Sequence, residues 1–234
     1  MKNKKLLVSI TGRKKSDWQK KLKEIERHKI KEIALFMEIF NKKERLGLLP
    51  ALKKSCVKKI PMVHIRNDTT HEELGILYNK FGTRFFTIHE SHFYKKTISH
   101  WRGYYKNLYL EMTTDDYVAP KVHVEKIGGF CMDLAHYKKQ VTDQNQDYIY
   151  MMEHLNTSKS GCNHLSGYSY KRNKDLHTIH DAREFQYLKT LPHNIFGKVI
   201  GFEYFNSIKD QLKYWPTVKK ILESKLGFKI INNY

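Results

Sequence analysis

Histidines and carboxylates recur along this 234-residue chain at one place in a repeated pattern. The residues 128–136 read GGFCMDLAH: an apolar run closes on Asp133, and His136 follows three residues later. Other apolar runs close in the same way. PMVHIRN (61–67) carries His64, with Arg66, Asn67 and Asp68 after it. TRFFTIHE (83–90) ends in His89 and Glu90, with His92 just beyond. NLYLEMT (107–113) reaches Glu111, GCNHLSG (161–167) carries His164, and KVIGFEYF (198–205) carries Glu203. Buried carboxylates and imidazoles are costly unless they are paired, hydrogen-bonded or bound to metal. One histidine in a strand is more often a hydrogen-bonded core residue than a ligand. Such residues closing six successive runs is a different observation. Mixed His, Asp and Glu donors suit Zn²⁺, Mn²⁺ or Fe²⁺.

A second cluster lies in SGYSYKRNKDLHTIHD (166–181), where Asp175 and His177 form a D-x-H pair and His180 follows. Asp-x-His in a loop can bring two ligands to one metal. The same letters can also open a helix, with Asp175 or Asp181 as its cap.

The elements that must position these residues alternate. Two further strand-like runs, KKLLVSI (4–10) and EIALFME (32–38), precede the six. Each run is rich in Val, Ile, Phe or Tyr and bounded by polar, Gly or Pro residues. Helix-like segments lie between them. SDWQKKLKEIERHK (16–29) has Ser16 as N-cap and Trp18, Leu22 and Ile25 on one face. Residues 41–56 are helical with an interruption at Pro50. Residues 69–82 open on a capping box, Thr70 to Glu73, and end at Gly82. Residues 95–105, 136–155, 181–192 and 207–227 complete the set, and 113–126 is the weakest helix pattern. Strand and helix alternating eight times predicts parallel pairing and an α/β fold. At this length it predicts a single (β/α)8 TIM barrel over residues 1–234, with its site at the C-terminal ends of the strands. An open doubly wound sheet is the alternative, but no GxGxxG turn follows the first strand.

The formal charge is +19, from 43 Lys and Arg against 24 Asp and Glu. That favours anionic partners: nucleic acid or phosphorylated substrates. A general lysine bias is the competing explanation. No run is long and apolar enough to span a bilayer, and the apolar part of MKNKKLLVSI is too short for a signal peptide. Three cysteines, Cys56, Cys131 and Cys162, without CxxC spacing fit a reducing cytoplasm and packing roles.

These residues resemble the xylose-isomerase-like TIM barrels, and within them the abasic-site endonucleases of the endonuclease IV type. The resemblance covers about residues 61–205 and rests on VHIRND, IHESH, YLEMT, FCMDLAH, NHLSGYS, DLH and GFEYFN. In that family nine such residues hold three zinc ions. The resemblance therefore implies His64, His89 and Glu111 at the first ion. It implies Glu111, shared, with Asp133, His164 and Glu203 at the second, and His136, Asp175 and His177 at the third. It implies a metal-dependent phosphodiester hydrolase acting on DNA at abasic sites, with up to three Zn²⁺ and with Glu111, Glu203 and His136 at the chemistry.

The same superfamily contains sugar and sugar-phosphate isomerases and epimerases. They use a smaller set matching Glu111, Asp133, His164 and Glu203, with one Mn²⁺ or Mg²⁺. There the two glutamates would move protons and His136 would touch a small phosphorylated sugar. That reading leaves His89, Asp175 and His177 unexplained. For DNA, phosphate contacts are expected from Arg13, Lys14, Lys15, Lys42, Lys43, Arg45, Arg66, Lys95, Lys96, Lys171, Arg172 and Lys174. Stacking is expected from Tyr94, Tyr168 and Tyr170. Lysines are also plentiful at the other end of the strands, at Lys53, Lys54, Lys58 and Lys59. The chain is shorter than those nucleases, and no counterpart of their duplex-wedging residues is evident.

Overall fold

The computed structural model describes residues 3–12, 17–90, 98–112, 116–119, 122–224, 226–232 and 234. Ser16, His92, Tyr94, Arg13, Lys14, Lys15, Lys95 and Lys96 lie outside the described residues.

The chain is a mixed α/β protein built on one large parallel sheet. Its elements run β1 (Asn3–Leu7), β2 (Ser9–Ile10), α1 (Asp17–Arg27), β3 (Ala34–Phe36), α2 (Lys42–Lys54), β4 (Met62–His64), α3 (His71–Lys80), β5 (Phe85–His89) and β6 (Leu108–Glu111). Then follow β7 (Gly129–Asp133), α4 (Leu134–Asp143), α5 (Gln146–His154), β8 (Ser160–Leu165), β9 (Gly167–Ser169), β10 (Lys174–Leu176), β11 (Val199–Phe202), α6 (Ile208–Ser224) and β12 (Lys229–Ile230). Strand order is β12-β1-β11-β8-β7-β6-β5-β4-β3-β2, and β9 and β10 form a separate antiparallel pair. The first extended segment has neighbours on both sides. Lys5 to Leu7 pair with Val199 to Gly201, and Ser9 and Ile10 pair with Ala34 and Leu35.

Strand residues alternate between two faces. One face carries Leu6, Val8, Leu35, Val63 and Phe86 into a large core shared with the helices. The other face gathers a smaller cluster: Leu7, Ala34, Phe36, Met62, Tyr109, Cys131, Cys162 and Val199. Gly201 keeps this inner layer tight. A Cβ there would stand 2.3 Å from Met62 Cε and 2.9 Å from Ala34 Cβ. Cys131 and Cys162 are buried, free and paired in register.

Several local expectations change. α2 runs unbroken through Pro50, which sits on its exposed side. The predicted 136–155 helix is two helices, α4 and α5. The break is at Gln144, which is left-handed at φ 52°, and Asn145 caps the second helix. Residues 182–190 form 3-10 turns rather than an α-helix, capped by Asp181. In the 95–105 segment, 98–101 and 105–107 are 3-10. The Thr70–Glu73 capping box is present, and Gly82 follows α3 with φ +68°.

Candidate metal centre

The inner-face parity explains where the polar residues go. Two residues beyond Met62 on the same face is His64, and beyond Thr87 is His89. The same step leads from Tyr109 to Glu111, from Cys131 to Asp133, from Cys162 to His164 and from Gly201 to Glu203. The register levels His89 with Glu111 and Asp133 with His164, while His64 is opposite Thr87 and His164 is opposite Gly201, each one inner-face step short of the next polar residue. The polar residues therefore form a layer directly above the inner apolar cluster.

Glu111 is the hub. Its Oε2 lies 3.5 Å from His64 Nδ1, 3.4 Å from His89 Nε2 and 3.1 Å from His164 Nδ1. His164 Nδ1 also lies 3.3 Å from Glu203 Oε2. Donor atoms around a tetrahedral zinc at ordinary bond lengths stand about 3.4 Å apart. The expected first set, His64, His89 and Glu111, and the expected second, Glu111, Asp133, His164 and Glu203, each converge to ion-binding spacing. His64 also converges with His164 and Glu203.

The third set, His136, Asp175 and His177, converges too. Asp175 and His177 lie on and beside β10, not in an irregular loop. Asp175 Oδ2 is 3.0 Å from His177 Nε2 and 4.0 Å from His136 Nε2. His177 Nδ1 donates to the Glu203 carbonyl at 3.0 Å, which turns Nε2 toward Asp175. Asp133 joins this set to the sheet. Its Oδ1 caps α4 by accepting from the backbone N–H groups of Ala135 and His136, both at 2.8 Å. Its Oδ2 has no hydrogen-bond partner among the described residues. One carboxylate thus starts the helix that carries His136 and still offers an oxygen to the centre.

Other inner atoms share that condition. Both nitrogens of His64, Glu111 Oε2, His164 Nδ1, Glu203 Oε2 and His136 Nδ1 are buried, with no hydrogen-bond partner among the described residues. Buried polar atoms left this way are uncommon. The donor set, mixed imidazole and carboxylate, fits divalent zinc-type ions at these points.

The proton distribution agrees with a site built for cations. Burial pushes the Asp133 carboxyl up to about 7, with Glu203 and Glu111 adding and His136 opposing. Burial likewise opposes ionisation of Glu203, but His164 holds it down to about 2. Glu111 is held well below the ordinary carboxylate range, against its burial, by His164 and then His89. Burial and the neighbouring His89 keep His64 neutral. Burial would lower His177, but Asp175 and Glu203 raise it to about 10. The hydrogen bond from His177 in turn holds Asp175 at about 2. Protons on imidazoles thus stand in for positive charge that ions would bring.

Two members were not evident in the sequence. Glu38 lies in the turn two residues past Phe36 at the end of β3, and its Oε2 reaches within 3.6 Å of His64 Nδ1 without a hydrogen-bond partner among the described residues. Burial, then Glu203, pushes its carboxyl up to about 8. Thr87, inside β5, has its hydroxyl 3.1 Å from His164 Nε2, which leaves Nδ1 facing Glu111. The signal for Glu38 was its parity with Phe36 at a run's end.

Some expected DNA contacts change. Arg45 is fully buried and bonded to Asp68, Glu73 and the Phe40 carbonyl, so it holds α2 to the β4–α3 loop and faces no solvent. Tyr168 is buried against Tyr187 and bonds Asn173, so it cannot stack on a base. Arg66 pairs with Asp68 and donates to the Glu38 carbonyl. Lys42, Lys43, Lys171, Arg172 and Lys174 are exposed, as is Tyr170. Among the described residues no helix is long and apolar enough to cross a membrane. No protein-family model matches the sequence, and no curated protein matches it.

Proposed function

We propose that the chain is a metal-dependent phosphodiester hydrolase acting on nucleic acid, of the abasic-site endonuclease type, on a closed (β/α)8 barrel. Closure is supported by the first segment, which pairs with β11 through β1 and with β3 through β2. It is also supported by the inner cluster, drawn from strands all along the sheet. The observation that carries the functional reading is the third ligand set. His136, Asp175 and His177 stand beside an already complete four-residue set, and Asp175 and His177 have no part in a one-metal isomerase.

Divalent ions held there would activate a water and neutralise a phosphodiester's oxygens. Glu111, kept ionised, would bridge two sites and set their separation. Glu203 holds negative charge toward His164 and, through its carbonyl, orients His177. Asp175 stands between His136 and His177. The turn between β9 and β10 carries the exposed Tyr170, Lys171 and Arg172. It would set phosphate contacts and a stacking ring beside the strand that bears Asp175. The free cysteines suit a reducing, cytoplasmic setting.

The second reading is a divalent-metal sugar or sugar-phosphate isomerase or epimerase. It is favoured by the compactness and full burial of Glu111, Asp133, His164 and Glu203 as a set. Elemental analysis with a cleavage assay on a duplex holding one abasic site decides between them. About three zinc per chain with cleavage is the expected result. One manganese or magnesium per chain and no cleavage would overturn it in favour of the isomerase.

A further inference from the structure

A cavity of about 590 Å³ opens at the N-terminal ends of β1, β4, β5 and β11, opposite the end that bears His64, His89 and Glu203. That volume is ordinary for a small-molecule site. Its walls include the apolar faces of Pro61, Phe85, Val199 and Ile231. Ile231 is 48% exposed, and Phe85 is half-buried against Tyr109.

The charge at its mouth is one-signed. Seven basic residues line the cavity against a single acid, Glu32. Three of the seven are committed: Lys4 donates to the Phe196 and Gly197 carbonyls at 2.7 Å each, Lys5 pairs with Glu32, and Arg84 donates to the Tyr78 and Thr83 carbonyls. The acid is thereby used. Lys58, Lys59, Lys80 and Lys198 remain, all exposed, with no ion pair among the described residues. A concave surface lined by one sign of charge concentrates counter-ions. Lysines are point-charge phosphate binders.

We propose that this cavity binds an organic phosphate of the nucleotide class. Its apolar or aromatic body would lie against Pro61, Phe85, Val199 and Ile231, and its phosphates would meet Lys58, Lys59, Lys80 and Lys198. Neither the metal ligands nor the nuclease reading enters this assignment. It gives a use to the lysines at the far end of the strands, which the metal centre does not employ.

The test is isothermal titration of the full, metal-loaded chain with ADP, adenosine and pyrophosphate. The comparison is the exposed-surface variant Lys58→Ala/Lys59→Ala/Lys198→Ala, with metal content as its control for folding. The expected result is saturable one-to-one ADP binding. It should weaken about tenfold or more in the variant, at unchanged metal content, and weaken further as salt is raised. Four results overturn the proposal. These are no saturable ADP binding, equal ADP affinity in wild type and variant, adenosine binding as tightly as ADP, and pyrophosphate binding as tightly as ADP. Equal affinity would place the nucleotide at the metal centre. Equal adenosine binding would remove the phosphates from recognition, and equal pyrophosphate binding would remove the organic body. If the triple variant loses metal as well, Lys198→Glu alone is titrated in its place and read by the same criteria.

Discussion

The two halves of the candidate metal centre are built by different means. Glu111, Asp133, His164 and Glu203 come from neighbouring strands and are 1%, 4%, 0% and 7% exposed. Sheet register alone sets their spacing, because each is one inner-face step beyond a packed residue. His136, Asp175 and His177 come from a helix start and a two-stranded hairpin and are only part-buried. Their spacing depends on the Asp133 cap and on the bond from His177 to the Glu203 carbonyl. A centre made this way has a fixed part and an adjustable part, and the adjustable part is the one near the exposed basic turn.

The sharpest break of that comparison is Glu111→Gln. It should cost about 10³-fold in cleavage, a loss of the size seen when preorganised charge is removed from a site. The ion of the His136–Asp175–His177 set should remain, read by elemental analysis. Loss of every ion would show the two halves to be one unit. Next comes Asp175→Ala or His177→Ala. Either should remove one ion, leave the rest, and lower cleavage by about 100-fold, the upper range for disturbing a metal's surroundings. Unchanged metal content in both variants would sink the three-ion reading.

A third measurement uses pH. In the metal-free protein Asp133 is raised from 3.8 to about 7 and Glu38 from 4.5 to about 8. The folded state then binds more protons than the unfolded state across that window, so stability falls as pH rises through it. His177, raised from 6.5 to about 10, continues the same sign upward. Glu203 and Asp175, lowered to about 2, act oppositely, and their contribution is lost as pH falls below 4.5 and 3.8 toward 2. Thermal melts of the metal-free chain should therefore be highest near pH 4.5 and decline toward pH 8. Loading with zinc should flatten that decline, because ions replace the protons. A metal-free melt that does not change with pH would contradict the burial-driven shifts.

The smallest effect is expected from Glu38→Gln. Removing the carboxylate beside His64 should weaken metal affinity about tenfold, measured by chelator competition, while the folded chain keeps all its strands. If the affinity does not move, Glu38 belongs to the packing of β3 and not to the centre.

The strands were readable because β-rich apolar runs bounded by breakers are a local signal, and every one of the eight runs contains strand residues. The ligand candidates were readable for the same reason: parity carries them one step past a packed residue. Helix type was less so. Residues 182–190 have helical spacing of Phe185 and Leu188, yet close as 3-10 turns. The split at Gln144 needed a left-handed residue that the letters QDYIYMME do not announce. Arg45 reads as a surface cation and is buried, because its partners Asp68 and Glu73 lie on the next unit. Glu38 reads as a solvated strand end until His64, 26 residues later, is placed beside it. The burial of Arg45 and the placement of Glu38 depend on contacts between units, which no window of the sequence contains.

The first extended segment has a further consequence, for synthesis. Lys5 to Leu7 are translated well before one of their sheet partners, Val199 to Gly201, which lies 194 residues further along. Glu203 follows that last partner by two residues. Contacts this distant in sequence are slow to form. A strand far removed in time therefore completes the candidate ligand set. A chain truncated before it would carry most of the centre's donors, including His64, Glu111 and His164, on a sheet with an unpaired edge. Newly made chains should accordingly take up metal only once that strand has emerged, and pulse-labelled zinc should follow chains that contain it and not shorter nascent ones.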